Sequence, residues 1–399
     1  MRATHTGDAY EYIAVYVDDL AIAALCCLDI CSTLKNKCGF KLKGEGPLTY
    51  HLGCDFIRDP DGTLVACPKK YIRKILDWYE YKYKSKPKKV KNPLEDNDHP
   101  ELDTSAVVLE YVKDVQSMVG QLQWLVALAR FDIMSSVVTM SRFRTCPRQG
   151  HVDRCKRIYG YIAFMDHGGI RFRTEEPDYS NLPIQEFDWS RSVYGNVKEL
   201  IPEDAPLPRG RHVVTTTYVD ANLHHDHVTG RALTGILHFV NGTPIDWYSK
   251  RQATVETATY GSEFVAARIA VDQIIDLRTT LRYLGVPIRE KSYLFGDNKS
   301  VVDSSTLPQS PLKKRHHALS YHRVREAIAA ECFGFYWVDG SKNPVDVLSK
   351  HWKFNAAWPT LKPIMFWKGV TSDIKDPEVK DQVTKSVNTF HRKAVRFKN

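Results

Sequence analysis

The stretch "HVVTTTYVDAN", residues 212–222, decides how the C-terminal part of the chain is read. Its run of valine and threonine marks a strand, and the apolar run stops at Val219, directly before Asp220. Working outward, "ALTGILHFV" (232–240) and "TPIDWYSKRQ" (243–252) read as two more strands. "TATYGSEFVAARIAVDQIIDLRTTLRYLG" (257–285) keeps a helical period, and "SYLFGDN" (292–298) is a fourth strand. "KSVVDSS" and "HHALSYHRVREAIAA" read as helices, "GFYWVDG" as a fifth strand and "NPVDVLSKHW" as a last helix. This order predicts an α/β layer with a five-stranded mixed sheet over residues 212–352.

Upstream, the 399-residue chain has room for two to three domains. Residues 1–85 read as strands and turns followed by a helix in which Tyr71, Ile75 and Trp78 share a face. A Pro- and charge-rich segment opens a helical region over 86–171, where Val112, Val115, Met118, Val119, Leu122, Leu125 and Val126 keep a helical period. Residues 172–211 lack periodicity and are read as a linker, and 353–399 as a basic tail.

Composition excludes some classes. No window approaches ~18 uncharged apolar residues, so no transmembrane helix and no membrane partner are expected. The nine cysteines form no C-x-x-C pair, which argues against a zinc ribbon and for a reduced, intracellular protein. Cys26 and Cys27 lie in an apolar run and are expected to be buried. The net charge is +9, concentrated in "YEYKYKSKPKKVK" (79–91) and "KSVNTFHRKAVRFKN" (385–399). Lysine–tyrosine interleaving suits single-stranded nucleic acid, and equally a solvated surface. "HHDH" (224–227) holds three imidazoles, but no cysteine completes a site, and polar loop residues are the simpler reading.

Four acids stand at the ends of the C-terminal elements. Asp220 and Asp297 follow strands, Glu263 lies in the first turns of the long helix, and Asp346 starts the last helix. Strands emerging side by side would bring Asp220 and Asp297 together, and a helix across the sheet could add Glu263. Clustered carboxylates call for a counter-charge, which a hard divalent cation supplies. The same residues also suit helix caps and turns, so spacing alone leaves both readings open.

The segments "TTTYVDAN", "SKRQATVETATYGSEFVAA", "YLFGDNKSVV", "RHHALSYHRVREAI" and "NPVDVLSK" resemble, in order, the motifs of the ribonuclease H domain of copia-type retrotransposon Pol polyproteins. The resemblance implies a ribonuclease H-like fold in which Asp220, Glu263, Asp297 and Asp346 hold two Mg²⁺ ions, with Mn²⁺ as an alternative. It also implies hydrolysis of the RNA strand of an RNA–DNA hybrid, with Arg315, His316 and Asn298 as substrate contacts. His316 reads equally as a solvated histidine at a helix start. The family often carries an acid where this chain has Gly261, and an aspartate where it has Ala318. Location in the cytoplasm, within a virus-like particle, or in the nucleus is implied by the same resemblance.

"YVDDL" (16–20) is similar to the polymerase motif of reverse transcriptases, within a stretch, 11–24, that reads as a buried hairpin. "CGFKLKGEGPLTYHLGCDFIRDPDG" and the helical segments around Arg130-Phe131-Asp132-Ile133 resemble the regions downstream of that motif in copia-type elements. Residues 1–85 are therefore read as a partial palm and 86–171 as a thumb or connection region. Asp18 and Asp19 would then be part of a polymerase metal site whose partner aspartate lies upstream in the family. With few residues before Asp18, no polymerase activity is expected from this chain alone. The remaining alternatives are a nucleic-acid-binding remnant without catalysis, and a reverse transcriptase completed by the rest of the Pol polyprotein.

Overall fold

The computed structural model of the chain describes residues 1–366; the basic segment 385–399 lies outside the described residues. Five strands form the C-terminal sheet: β1 (Thr215–Asn222), β2 (Leu233–Val240), β3 (Thr243–Arg251), β4 (Ser292–Gly296) and β5 (Phe333–Trp337). Their order is β3-β2-β1-β4-β5. β1, β2 and β3 are antiparallel neighbours, whereas β4 runs parallel to both β1 and β5.

Helices α1 (Thr259–Tyr283), α2 (Lys299–Thr306) and α3 (Ala318–Ala329) cover one face. Sheet and helices together make the ribonuclease H-like fold that the resemblance implies. Phe264, Ala266, Ala267, Ala270, Val271 and Ile274 of α1 are buried in one cluster with Val219, Leu294 and Phe335 of the sheet. Small side chains at 266, 267 and 270 let the helix lie close to β1. Each fully buried large aliphatic or aromatic side chain in this layer contributes about 1.5–3 kcal/mol.

The opposite face carries Leu237 and Phe239, together with the short helix α4 (Asp346–Ser349) and α5 (Phe354–Leu361). One apolar cluster continues from there into the helices Val112–Ala127, Met134–Ser141 and Gln149–Phe164. Residues 354–366 are therefore part of a core and not of a tail: Phe354, Trp358, Leu361, Met365 and Phe366 are all buried in it. Their aromatic and aliphatic surface is too large to leave in water. The periodic set of the first of these helices is buried apart from Val112. In the helix Lys69–Tyr83 the buried stripe is Ile72, Ile75 and Tyr79, with Tyr71 and Trp78 only partly buried beside it.

Within this core Arg130 and Asp132 are fully buried and paired at 2.9 and 2.7 Å. The Arg130 guanidinium also donates to the Met165 carbonyl at 2.7 Å, and the Tyr161 hydroxyl donates to Asp132 at 2.8 Å. A buried ion pair is retained only when its spare donors and lone pairs are met in this way. Residues 172–211 contain no helix or strand, yet are tied to the sheet. The Gln185 amide both donates to and accepts from the backbone of Phe335, closing the edge strand β5.

The N-terminal hairpin, Tyr10–Tyr16 and Asp19–Ala23, departs from expectation. Val15, Tyr16 and Val17 are 66%, 53% and 86% exposed, and Cys26 and Cys27 are exposed as well. The sequence pattern implied burial, but no layer in the described residues covers these side chains. Among the described residues no helix is long and apolar enough to cross a membrane.

Candidate metal-binding active site

The parallel pairing of β1 and β4 matches Val219 with Gly296. The next residues, Asp220 near the end of β1 and Asp297 just past β4, therefore stand side by side at the C-terminal end of this parallel pair. Glu263, on the second turn of α1, reaches them from the covering layer. One ligating oxygen from each of Asp220, Glu263 and Asp297 lies within 4.8 Å of the others. Asp220 and Glu263 are buried and Asp297 is half-buried.

Asp346 approaches from the other side of β1. Asp220 pairs with Gly235 of β2, where a side chain would collide with Leu348 and the Ser349 backbone nitrogen at 2.9–3.0 Å. Glycine at 235 thus permits α4 to sit against the sheet. Asn343 fixes the entry to α4: its amide donates to the Val219 carbonyl at 3.1 Å, and its carbonyl oxygen accepts from the Val345 nitrogen. Asp346 does not join the three-carboxylate group directly. It meets Lys350, whose Nζ is 2.9 Å from Asp346 and 3.9 Å from Asp220.

Lys350 and Ser349, whose hydroxyl donates to Asp220, were not among the expected site residues. The signal for Lys350 was its i,i+4 spacing from Asp346. Asn298 lines the same cleft, of about 410 Å³, with Asp220, Glu263, Asp297 and Lys350. Its side chain also caps α2 by accepting from the Val301 nitrogen. Arg315 and His316 are exposed on the turn before α3, and neither lines the cleft.

The electrostatics are those of crowded carboxylates. Burial, then Asp220 and Asp297, hold the Glu263 pKa well above the usual range. Burial, then Asp220, push Asp297 up to about 6. Asp346 is likewise raised to about 6 by burial and Asp220, with Lys350 partly offsetting them. Burial acts to lower the Lys350 pKa, but Asp220 and Asp346 outweigh it and raise it. An all-oxygen group of this kind, too crowded to ionise fully by itself, fits a hard divalent cation.

No family model matches the chain. It is 24% identical over 347 residues to the retrovirus-related Pol polyprotein from transposon TNT 1-94 of Nicotiana tabacum, covering 85% of this chain and 23% of that protein. It is 24% identical over 346 residues to the corresponding polyprotein from transposon RE1 of Arabidopsis thaliana, covering 86% and 21%. Both of these relatives are retrovirus-related Pol polyproteins. The chain spans less than a quarter of the length of these two. Among solved structures, the N-terminal RNase H domain of Rv2228c from Mycobacterium tuberculosis, fused to maltose-binding protein, has a TM-score of 0.28 and 14% identity, covering 38% of this chain and 97% of that one. That likeness is low, and the fold assignment rests on the strand order β3-β2-β1-β4-β5.

The polymerase-like motif makes no comparable site. Asp18 and Asp19 stand exposed at the hairpin turn, where Val17 has a φ of 54°. Among the described residues, no group of three potential ligands includes either of them. Of the tyrosines in 79–91, Tyr79 is buried and Tyr83 packs inward onto the Met118 sulfur, leaving Tyr81 as the exposed ring. One exposed ring is a poor platform for stacking successive bases.

Proposed function

We propose that the chain is the ribonuclease H portion of a copia-type retrotransposon Pol polyprotein, acting as a metal-dependent hydrolase on the RNA strand of RNA–DNA hybrids. The observation that supports this best is the convergence of Asp220, Glu263 and Asp297 at the C-terminal end of the parallel strand pair. Those three residues would hold divalent cations, magnesium or manganese, with Asp346 joining once Lys350 moves aside. Bound there, such ions neutralise the scissile phosphate and lower the pKa of the attacking water. The residues themselves do the rest. Ser349 orients Asp220, Asn343 ties the entry of α4 to β1, burial keeps the cluster at low dielectric, and Lys350 supplies positive charge beside Asp346 and Asp220. Asn298 lines the cleft and would contact the sugar–phosphate backbone.

The test is cleavage of an end-labelled RNA–DNA hybrid with magnesium by the wild-type chain and by Asp220→Asn. Equal rates for the two would remove the assignment. Polymerase activity is not proposed for this chain, since Asp18 and Asp19 have no third carboxylate beside them among the described residues.

A further inference from the structure

Glu256 lies in the loop between β3 and α1 and is 6% exposed. A buried carboxylate needs a counter-charge. Among the described residues the basic side chains within 4 Å of its carboxylate are two imidazoles, with no lysine or arginine. His317 Nε2 is 3.0 Å from Glu256 Oε2, and His316 Nε2 is 3.8 Å from that same oxygen. Ligand atoms of all three residues lie within 4.8 Å of one another. Two ligands on a tetrahedral zinc ion, with bonds of about 2.0–2.1 Å, stand about 3.3 Å apart, a value between the two observed distances.

Gly261 makes the convergence possible. A Cβ there would stand 2.5 Å from Glu256 Oε2 and 2.6 Å from His317 Nε2. Any side chain at 261 would push Glu256 and His317 apart. This accounts for the glycine at a position where the resemblance leads one to expect an acid: the space belongs to Glu256 and His317. The donor set also differs from that of the catalytic cluster. Two imidazole nitrogens and one carboxylate oxygen favour zinc or cobalt, whereas carboxylates alone favour magnesium or manganese.

We propose that Glu256, His316 and His317 form a second metal site, binding one zinc-class ion and leaving a coordination position open to water. The ion ties the loop before α1 to the turn before α3. It thereby braces the segment that leads through Thr259, on the cleft wall, to Glu263. His316 is then committed to the ion and not free to contact substrate.

The second site is independent of the hydrolase reading, and a variant without the catalytic Asp220 carboxylate separates the two. The full chain carrying Asp220→Asn is titrated with Co²⁺ and with Zn²⁺ in excess magnesium, by absorption spectroscopy and calorimetry. One ion per chain is expected, with the intense visible absorption of four- or five-coordinate cobalt. Added His316→Ala removes an imidazole that is 55% exposed, so the fold is safe, and lowers affinity at least about tenfold. Added Glu256→Gln lowers it further. Absence of a magnesium-resistant ion would overturn the proposal. So would an ion held with unchanged affinity in His316→Ala, which would place it elsewhere, for example at His99, Glu101 and His227.

Discussion

Asp18 and Asp19 are adjacent in the chain, and both are exposed on a hairpin that no layer covers among the described residues. Asp220 and Asp297 are far apart in the chain, yet leave neighbouring parallel strands one residue after a matched pair, under a helix that adds Glu263. The difference teaches that adjacency in sequence does not make a site. Charges on two exposed carboxylates are screened by solvent and salt. Buried together, carboxylates raise one another's pKa and create a demand for a cation.

Five experiments test that contrast, from the largest effect to the smallest. Asp220→Asn is expected to lower hybrid cleavage by at least about a hundredfold, the scale of losing one group that stabilises developing charge; a labelled-hybrid assay reads it. Next, magnesium at ~100 times its dissociation constant should stabilise the wild-type chain by about 2.7 kcal/mol. In thermal melts that shift should vanish for Asp220→Asn.

The third experiment concerns pH. Asp297 and Asp346 titrate at about 6 in the fold, against about 3.9 for an unfolded aspartate. The folded state thus holds more protons between these values. Each of the two should cost the metal-free protein roughly 2 kcal/mol as pH rises from about 4 through 6. Melts in chelator should show this decline, reduced in Asp297→Asn and reversed by added magnesium, which requires the ionised carboxylates.

Fourth, Lys350→Met removes the resident cation. Metal-free stability should fall by about 1 kcal/mol, the modest scale of a partly exposed pair. Magnesium affinity should rise because Asp346 is released; unchanged affinity by calorimetry would mean that Lys350 does not compete with the ion. Last, the double change Asp18→Asn and Asp19→Asn should alter stability by no more than about 0.5 kcal/mol. It should leave the magnesium-dependent melting shift intact, and loss of that shift would break the contrast between the two regions.

Much of the fold was legible because local signals were strong. The strand and helix order over 212–352 followed from β-branched runs, one long helical period and turn residues. The acids were legible as residues at element ends, and strands emerging side by side already suggested that Asp220, Asp297 and Glu263 meet; that Asp346 stands apart on Lys350 was not legible. Burial was misread where pattern and packing disagree. The run through Cys26 and Cys27 is apolar but exposed, and Trp358 lies in a segment read as tail but is buried. Lys350 escaped notice because a lysine near a helix end is usually solvated, and only the approach of α4 to β1 places it between two aspartates.

The sequence by itself determined the alternation of strands and helices and the residue types available at each strand end. These depend on φ/ψ preferences and hydrophobic period, which are local properties. Tertiary structure alone decided which carboxylates share a site, which lysine neutralises them, and that Gly235 and Gly261 are spaces filled by other residues. Those outcomes depend on strand register and on the close approach of layers, quantities that no window of sequence contains. The paired aspartates of "YVDDL" show the same rule from the other side: two correct residues, with no layer over them and no third carboxylate beside them among the described residues.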